Sequence, residues 1–413
     1  MSSASDSSPD PTPNRVPSFI WTTILPARLV INAQFRIPYP FLPAISRGLG
    51  VPLEVASLLL TVRGLLGATS PLFGFLSDRV GRKPLMLAGL VMVIAGAALL
   101  VMGRSFGWAL VAFALFGLAK SSYDPTMQAY VSDVVPYEHR GRALGATELS
   151  WSASWLFAVP LTGLLIARWN WRTPFIVIAL LGVVCLLGTM RLAAPRTAPA
   201  DGIDRPAPRT LGDSLRPLFS RRTLLILAVS ALVILANENF FIIYGAWMEA
   251  QFNLAPAGLG LTSIVVSLAE LAAAVLSAVS VDRLGKHRAL FIGLAGNACA
   301  YLLLRGLAGS FAGALAGIIL LAATSEFAIV STLPLVSELA PTARGTVMSV
   351  NAALTAIAAA AASLLAPRLW RSDGLGAVTT ASATCIILAV LLLVLAVYAS
   401  RSRRLPPPLP ASE

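Results

Sequence analysis

Charged residues are scarce in this sequence: Asp, Glu, Lys and Arg make up 12% of its 413 residues, against about a quarter in a soluble domain. That shortage excludes an ordinary water-exposed surface. Histidine occurs twice and cysteine three times. His139 and His287 stand in charged turns, while Cys185, Cys299 and Cys385 fall singly inside apolar runs with no paired spacing. Neither a metal cluster nor a disulfide framework is expected, no cofactor is implied, and the three thiols read as buried packing residues. A phosphate-cradling loop of the Walker type is missing too, which argues against a nucleotide-driven machine. The first 17 residues are rich in Ser, Pro and Asp and have neither the basic start nor the apolar core of a secretory leader.

What is abundant is apolar: 57% of the chain is hydrophobic and the mean hydropathy is +0.79. Stretches of roughly 20 apolar residues recur along the length, each able to cross a hydrocarbon layer of about 30 Å. Twelve such spans are expected, beginning near Ile20, Leu53, Pro84, Gly107, Leu144, Pro174, Leu224, Gly258, Leu290, Ser310, Val347 and Ala377. Between the sixth and seventh lies Arg191 to Arg222, the longest connection, rich in Pro, Ala, Arg and Asp and suited to a flexible linker. The expected organisation is a disordered cytoplasmic tail over 1–19, a helical bundle over 20–190, a cytoplasmic linker over 191–222, a second bundle over 223–400 and a cytoplasmic tail over 401–413.

The net charge of +12 is not gathered on one domain, so nucleic acid is not an expected partner. The basic residues sit in short connections, where they report orientation. With the N-terminus inside, twenty Lys and Arg residues fall on the cytoplasmic side, among them Arg15, Arg79, Arg82, Lys83, Arg140 and Arg142, and seven on the other. This asymmetry satisfies the positive-inside rule with both termini cytoplasmic. The remaining four, Arg28, Arg36, Arg63 and Lys120, lie within spans.

The two halves repeat at a displacement of about 204 residues. Asp78-Arg79-Val80-Gly81 returns as Asp282-Arg283-Leu284-Gly285, and Val131-Ser132-Asp133 with Pro136 and Arg140-Gly141 returns as Val336-Ser337-Glu338 with Pro341 and Arg344-Gly345. In the first span Asn32, Gln34, Phe35, Ile37 and Tyr39 recur as Asn237, Asn239, Phe240, Ile242 and Tyr244. Convergent turn chemistry explains one such coincidence but not three at one spacing. Two equivalent bundles suit a machine that rocks one half against the other around a central site.

The segment Gly74-Phe75-Leu76-Ser77-Asp78-Arg79-Val80-Gly81-Arg82-Lys83 resembles the signature loop between the second and third helices of the major facilitator superfamily. Trp171-Arg172-Thr173-Pro174-Phe175 is similar to that family's entry to helix six, and the resemblance extends over essentially the whole chain, closest to its drug:proton antiporter-like, twelve-helix members. It implies an all-α membrane protein of twelve transmembrane helices in two pseudo-symmetric six-helix bundles, in the inner membrane of a bacterial-type cell. It also implies a conformational latch at the cytoplasmic face, in which Asp78 faces a helix N-terminus of the other half while Arg79 and Arg82 pair with acids such as Asp133. The latch set is Gly74, Asp78, Arg79, Gly81, Arg82, Lys83, Asp133, Arg140, Asp282, Arg283, Gly285, Glu338 and Arg344. In the second copy Ala278, Lys286, His287 and Arg288 stand where the first has Gly74, Arg82, Lys83 and Pro84, so a weaker latch is expected there. The helix-five motif of many exporters is present only in part, with Pro160 and Gly163 kept and two glycines missing.

An ionisable side chain in hydrocarbon costs several kcal/mol, so such residues normally face a cavity or a partner. Arg28, Arg36, Arg63, Lys120, Asp124, Glu148, Glu238, Glu270 and Glu326 fall on spans one, two, four, five, seven, eight and ten, and spans three, six, nine and twelve hold none. Arg63, Lys120, Glu238, Glu270 and Glu326 lie deepest and are the leading site candidates; Arg28, Arg36, Asn32, Asn237, Tyr39 and Tyr244 join them as substrate-binding or proton-coupling candidates. For Arg28 and Arg36 snorkelling to an interface is an equal reading, and Lys120 and Asp124, four apart on one helix, are placed to pair with each other. Cations dominate the first half and glutamates the second, which fits either internal salt bridges across a cavity or an anionic solute facing a proton-carrying carboxylate, with Glu238 preferred for that role. Tyr39, Phe41, Tyr123, Phe240, Tyr244, Trp247 and Trp151 suit either a pocket wall or ordinary packing.

The expected function is secondary transport by alternating access: proton-coupled efflux of a small drug-like or metabolite solute, with proton-coupled uptake of a small organic anion as the alternative. An enzyme is not expected, since no nucleophile-base pair or ligand cluster is seen at membrane depth, and a non-transporting receptor or scaffold is the reading from another class. The expected partners are a small-molecule solute, protons and the lipid bilayer, with the chain working as a monomer.

Overall fold

A computed structural model describes residues 16–193, 216–339 and 344–401. Most of the expected N-terminal tail with Arg15, the middle of the expected linker, and residues 402–413 lie outside the described residues. So do the side chains of Asp282 and Arg344.

Every described element is helical, as hydrocarbon demands of a chain whose backbone groups must find partners within the segment. Among the described residues nine helices are long and apolar enough to cross a membrane. The last of them, Arg344–Arg401, breaks at Asp373 and Gly374, where the backbone leaves helical geometry, and so supplies two spans. Two more lie ahead of Arg82: the first runs through Ile20–Ile24, Leu25–Arg36 and Pro38–Leu49, the second through Leu53–Ala56, Leu58–Gly67 and Ser70–Val80. The count is therefore twelve. The third to tenth spans are Arg82–Met102, Phe106–Val134, Tyr137–Arg168, Thr173–Met190, Arg221–Phe252, Pro256–Leu284, Lys286–Leu307 and Phe311–Ser337. The fifth starts earlier than hydropathy suggests, at Tyr137 rather than near Leu144, because its polar first turns continue the helix beyond its apolar part.

Proline and glycine explain where the spans bend and stop. Pro38 and Pro40 carry no N–H, so the carbonyls of Gln34 and Arg36 lose their helical donors and the first span is interrupted at Ile37. In the fifth span a wide turn, Ser154–Ala158, precedes Pro160, which likewise donates nothing. The repeat reappears in the backbone. Gly81 and Gly285, 204 positions apart, take φ of 98° and 82° at the two matching turns, a conformation open to glycine and costly for a side chain. Gly50 and Asn253 end the first and seventh spans in left-handed geometry, each shortly before a proline that starts the next helix.

The halves meet at the ends of the spans remote from the Gly74–Lys83 loop. Arg47 Nη1 lies 2.7 Å from Glu249 Oε1, and Arg371 Nε donates to Glu54 Oε1 at 2.6 Å. A Cβ on Gly245 would collide with the Pro40 carbonyl, and one on Gly163 with the carbonyl of Pro256, so the first span lies against the seventh and the fifth against the eighth with no room for side chains. Deeper in, Thr61 Oγ1 and Ser363 Oγ share a hydrogen bond of 2.6 Å, joining the second span to the eleventh. At the loop end the reverse holds: Gly74, Gly141, Gly145 and Gly345 have nothing within 4 Å of a would-be Cβ. The two bundles are closed at the far end and splayed at the loop end.

Cys185 is buried as expected, but Cys299 is exposed and Cys385 half-buried. The reason is that the outer faces of these helices need only be apolar, not covered, when the solvent is lipid. Gly245→Val is expected to destabilise the protein by about 1–3 kcal/mol through overpacking, read as a lowered thermal midpoint in detergent. Gly74→Val is expected to leave that midpoint unchanged. Equal midpoints for the two variants would contradict the packing described above.

Candidate functional site

A cavity of 430 Å³ lies between the halves. It is lined by Phe35, Arg36 and Tyr39 of the first span, Arg63 of the second, Lys120 and Asp124 of the fourth and Trp151 of the fifth. Asn237 and Glu238 of the seventh span, Glu270 of the eighth and Glu326 of the tenth face them, with Ala352, Thr355, Ala356 and Ala359 of the eleventh closing that wall. No lining residue comes from the third, sixth, ninth or twelfth span. Three arginine or lysine side chains thus look across at three glutamates.

Eight of the eleven solute or proton candidates line this cavity: Arg36, Tyr39, Arg63, Lys120, Asn237, Glu238, Glu270 and Glu326. Arg28, Asn32 and Tyr244 do not. Of the proposed aromatic wall only Tyr39 and Trp151 reach it, while Phe41, Tyr123, Phe240, Tyr244 and Trp247 are buried in the core, where the Tyr244 hydroxyl is bonded to Thr262. Asn239, the other neighbour of Glu238, is also a core residue.

Burial at this depth forces each charge to find a partner, and most have one. Arg28 forks onto Glu148, with Nη1 at 2.8 Å from Oε1 and Nη2 donating to Oε2 at 3.0 Å, a bidentate geometry that suits guanidinium and carboxylate. Its Nε stands 3.6 Å from Asp124 Oδ1. Lys120 Nζ donates to Asp124 Oδ2 and to Asn32 Oδ1, both at 2.7 Å, and Asn32 Nδ2 donates to Ser150 Oγ at 3.0 Å. This network ties the first, fourth and fifth spans together within one half. Snorkelling is therefore not the reading for Arg28, which is 5% exposed.

Across the gap the contacts are sparser. Arg36 reaches Glu270 with Nη2 3.6 Å from Oε2, its guanidinium 3.7 Å above the Trp151 ring and 4.8 Å from that of Trp155, which adds a cation–π attraction in a desolvated place. Arg63 Nη1 donates to the Phe35 carbonyl at 2.6 Å and Nη2 to the Tyr39 hydroxyl at 3.0 Å. That hydroxyl also interacts with the Glu238 carboxylate, so Tyr39 stands between a cation of one half and an acid of the other. Glu326 makes no ion pair among the described residues.

At the loop end, Arg82 holds Asp78 Oδ1 at 2.6 Å and Asp133 Oδ2 at 3.1 Å, and Lys83 Nζ donates to the carbonyls of Met190 and Leu192 at 2.7 Å each, completing the end of the sixth span. Arg140 Nε donates to the Val135 carbonyl at 3.0 Å. Arg79 lies over the Phe75 ring at 4.3 Å rather than on an acid. Lys286 pairs with Glu338, and Arg283 is exposed. The pairs of Arg82 with Asp78 and Asp133 lie inside the first half, and that of Lys286 with Glu338 inside the second.

Phe35 and the eleventh span complete the wall without a charge that would mark them in the sequence. The signal of that span lies in small residues at positions 352, 356 and 359, one helical face apart, where a cavity needs room. Asp124→Asn is expected to leave Arg28 and Lys120 undercompensated and to lower stability by roughly 3 kcal/mol. Arg371→Gln, removing an exposed pair, is expected to cost at most about 1 kcal/mol. Thermal unfolding in detergent compares the two, and an equal loss would refute the buried network.

Comparison with known proteins follows from this geometry. The family model described as Major Facilitator Superfamily matches residues 24–237 and 226–413. An uncharacterised transporter of that type from Bacillus subtilis, YceJ, is 26% identical over 370 residues, 88% of this chain and 92% of that protein. A second from the same bacterium, YwfA, is 25% identical over 62% of each chain, so that match spans less than two thirds of the relative. The class C tetracycline resistance protein of Escherichia coli is 26% identical over 64% of this chain and 68% of its own. Among solved structures, a D-xylose-proton symporter superposes with a TM-score of 0.74 at 15% identity, covering 92% of this chain and 97% of that one. The chain belongs to the Major Facilitator Superfamily of membrane transporters.

Proposed function

We propose that this protein exports a small amphipathic solute in exchange for protons by alternating access, with the central cavity as its binding site. The observation that carries the proposal is the opposed pair of walls: cations of the first half and glutamates of the second line one 430 Å³ space, bridged by one ion pair, Arg36 to Glu270. Walls held together by so few contacts can separate and rejoin. The volume lies within the usual range for a site that takes a drug-sized molecule.

The loop-end opening is the cytoplasmic entrance in this reading, which agrees with the excess of Lys and Arg at that end. Arg82, Asp78 and Asp133 together with Gly74 and Gly141 form the surface against which the other half docks when that end closes. Arg47 with Glu249 and Arg371 with Glu54 hold the opposite gate. Glu238, Glu270 and Glu326, the carboxylates that line the second half's wall of the cavity, carry the exchanged protons. Export is favoured over uptake by the likeness to a tetracycline resistance protein and by Pro160 and Gly163 of the fifth span, which pack directly on Gly260 and Pro256 of the eighth.

Proteoliposomes with an imposed pH gradient test this. Small amphipathic aromatic solutes such as 2-naphthoate are expected to move against the proton flow. Glu238→Gln is expected to cut gradient-driven flux at least about tenfold while solute-for-solute exchange persists, because only the proton-dependent step is lost. Solute moving in the direction of the protons would overturn the export reading, and gradient-driven flux untouched by Glu238→Gln would overturn the role of that residue.

A further inference from the structure

Four cations stand at membrane depth in the first half, and three are neutralised by carboxylates: Arg28 by Glu148 and Asp124, Lys120 by Asp124 and Arg36 by Glu270. Arg63 is different. It is 3% exposed and has no carboxylate within ion-pair distance among the described residues. Its nearest acid is Glu238, which shares the Tyr39 hydroxyl with it and acts on it electrostatically from beyond ion-pair distance. Of its five N–H groups one goes to the Phe35 carbonyl and one to Tyr39, and Nε finds no acceptor.

A buried guanidinium without an acid is expensive, whether in a membrane or in a protein core. The charge becomes tolerable when an anion from solution completes it. We infer that Arg63 is the docking point for the carboxylate of a small aromatic acid, and that such acids are the solute class of the cavity. This rests on the reading of the cavity as a transport site and adds to it the chemistry of the cargo.

The surroundings narrow the class in two ways. Phe35 stacks on the guanidinium at 3.8 Å and Tyr39 lies 5.2 Å from it, while the Phe35 ring packs 6.2 Å from that of Trp151. A carboxylate seated on Arg63 therefore carries its own ring into an aromatic corner, where flat apolar groups are favoured. On the opposite wall stand Glu238, Glu270 and Glu326, whose field opposes every negative charge brought in, while the single charge of Arg63 compensates one. A monoanion satisfies Arg63 without an uncompensated charge, whereas an aryl phosphate dianion does not. Arginine, unlike lysine, offers two parallel donors that match a carboxylate edge.

Matched acids and amides test the assignment on the purified full-length protein in detergent: 2-naphthoate against 2-naphthamide, indole-3-acetate against indole-3-acetamide, and 2-naphthyl phosphate as the dianion. Ligand-dependent thermal stabilisation reads the affinities. The acids are expected to bind at least about tenfold more tightly than their amides, and the phosphate more weakly than the acids. Arg63→Gln is expected to abolish the preference, and Arg63→Lys to retain part of it. Because the acid-to-amide ratio is measured on the unaltered chain, misfolding of a variant does not remove the test. Amides binding as well as acids, an unchanged preference in a folded Arg63→Gln, or no acid binding at all would overturn the proposal. Acids that bind but are not moved in proteoliposomes would instead count against the transport reading and leave the docking assignment standing. Neutral solutes moved by a protein indifferent to carboxylates would do the opposite.

Discussion

The cost of holding charge inside hydrocarbon governs this molecule. Nine ionisable side chains lie within its spans, and each needs an opposite charge, a hydrogen-bonding neighbour or access to water. The first half meets part of that demand internally, with Arg28, Lys120, Asp124, Glu148 and Asn32 joined in one network, but not for Arg36 and Arg63. The second half carries glutamates with no basic residue beside them, so their compensation must come from across the gap. The cavity exists because neither half is electrostatically complete without it.

That incompleteness also sets the mechanics. Where the halves grip each other, at the far end, they do so through glycine and proline backbones at close approach and through exposed ion pairs. Beside these contacts the hydrophobic core runs on from one half to the other, as in Trp155 against Phe241. At mid-depth the charged links between the halves are few, Arg36 with Glu270 and Tyr39 between Arg63 and Glu238, beside hydroxyl bonds such as Thr61 with Ser363. The prolines at 38 and 40 place a loosened stretch of the first span at the same level, and Arg63 takes one of the carbonyls of that stretch.

The distribution of small residues follows the same logic. Where the halves meet at the far end, Gly245, Gly163 and Gly260 are packed against backbone of the other half, whereas Gly74 and Gly141 of the loop end face open space. Gly81 and Gly285 answer a different need, the tight turn that carries the chain from one span to the next.

Much of this was legible in the residues themselves. Runs of apolar residues, the displaced copy of Asp78-Arg79-Val80-Gly81 and the confinement of charge to particular spans depend on periodicity and on the cost of burial, both of which are local properties of the chain. They foretold twelve helices and a cavity shunning the third, sixth, ninth and twelfth. Pairing is not local. Only the tertiary structure decided that Arg28 forks onto Glu148 rather than snorkelling, that Tyr244 packs while its counterpart Tyr39 faces the cavity, that an uncharged alanine face completes the wall, and that Arg63 alone among its neighbours lacks an acid. Those outcomes turn on distances of a few ångströms between helices far apart in sequence, and Coulomb attraction and hydrogen bonding are decided at that scale.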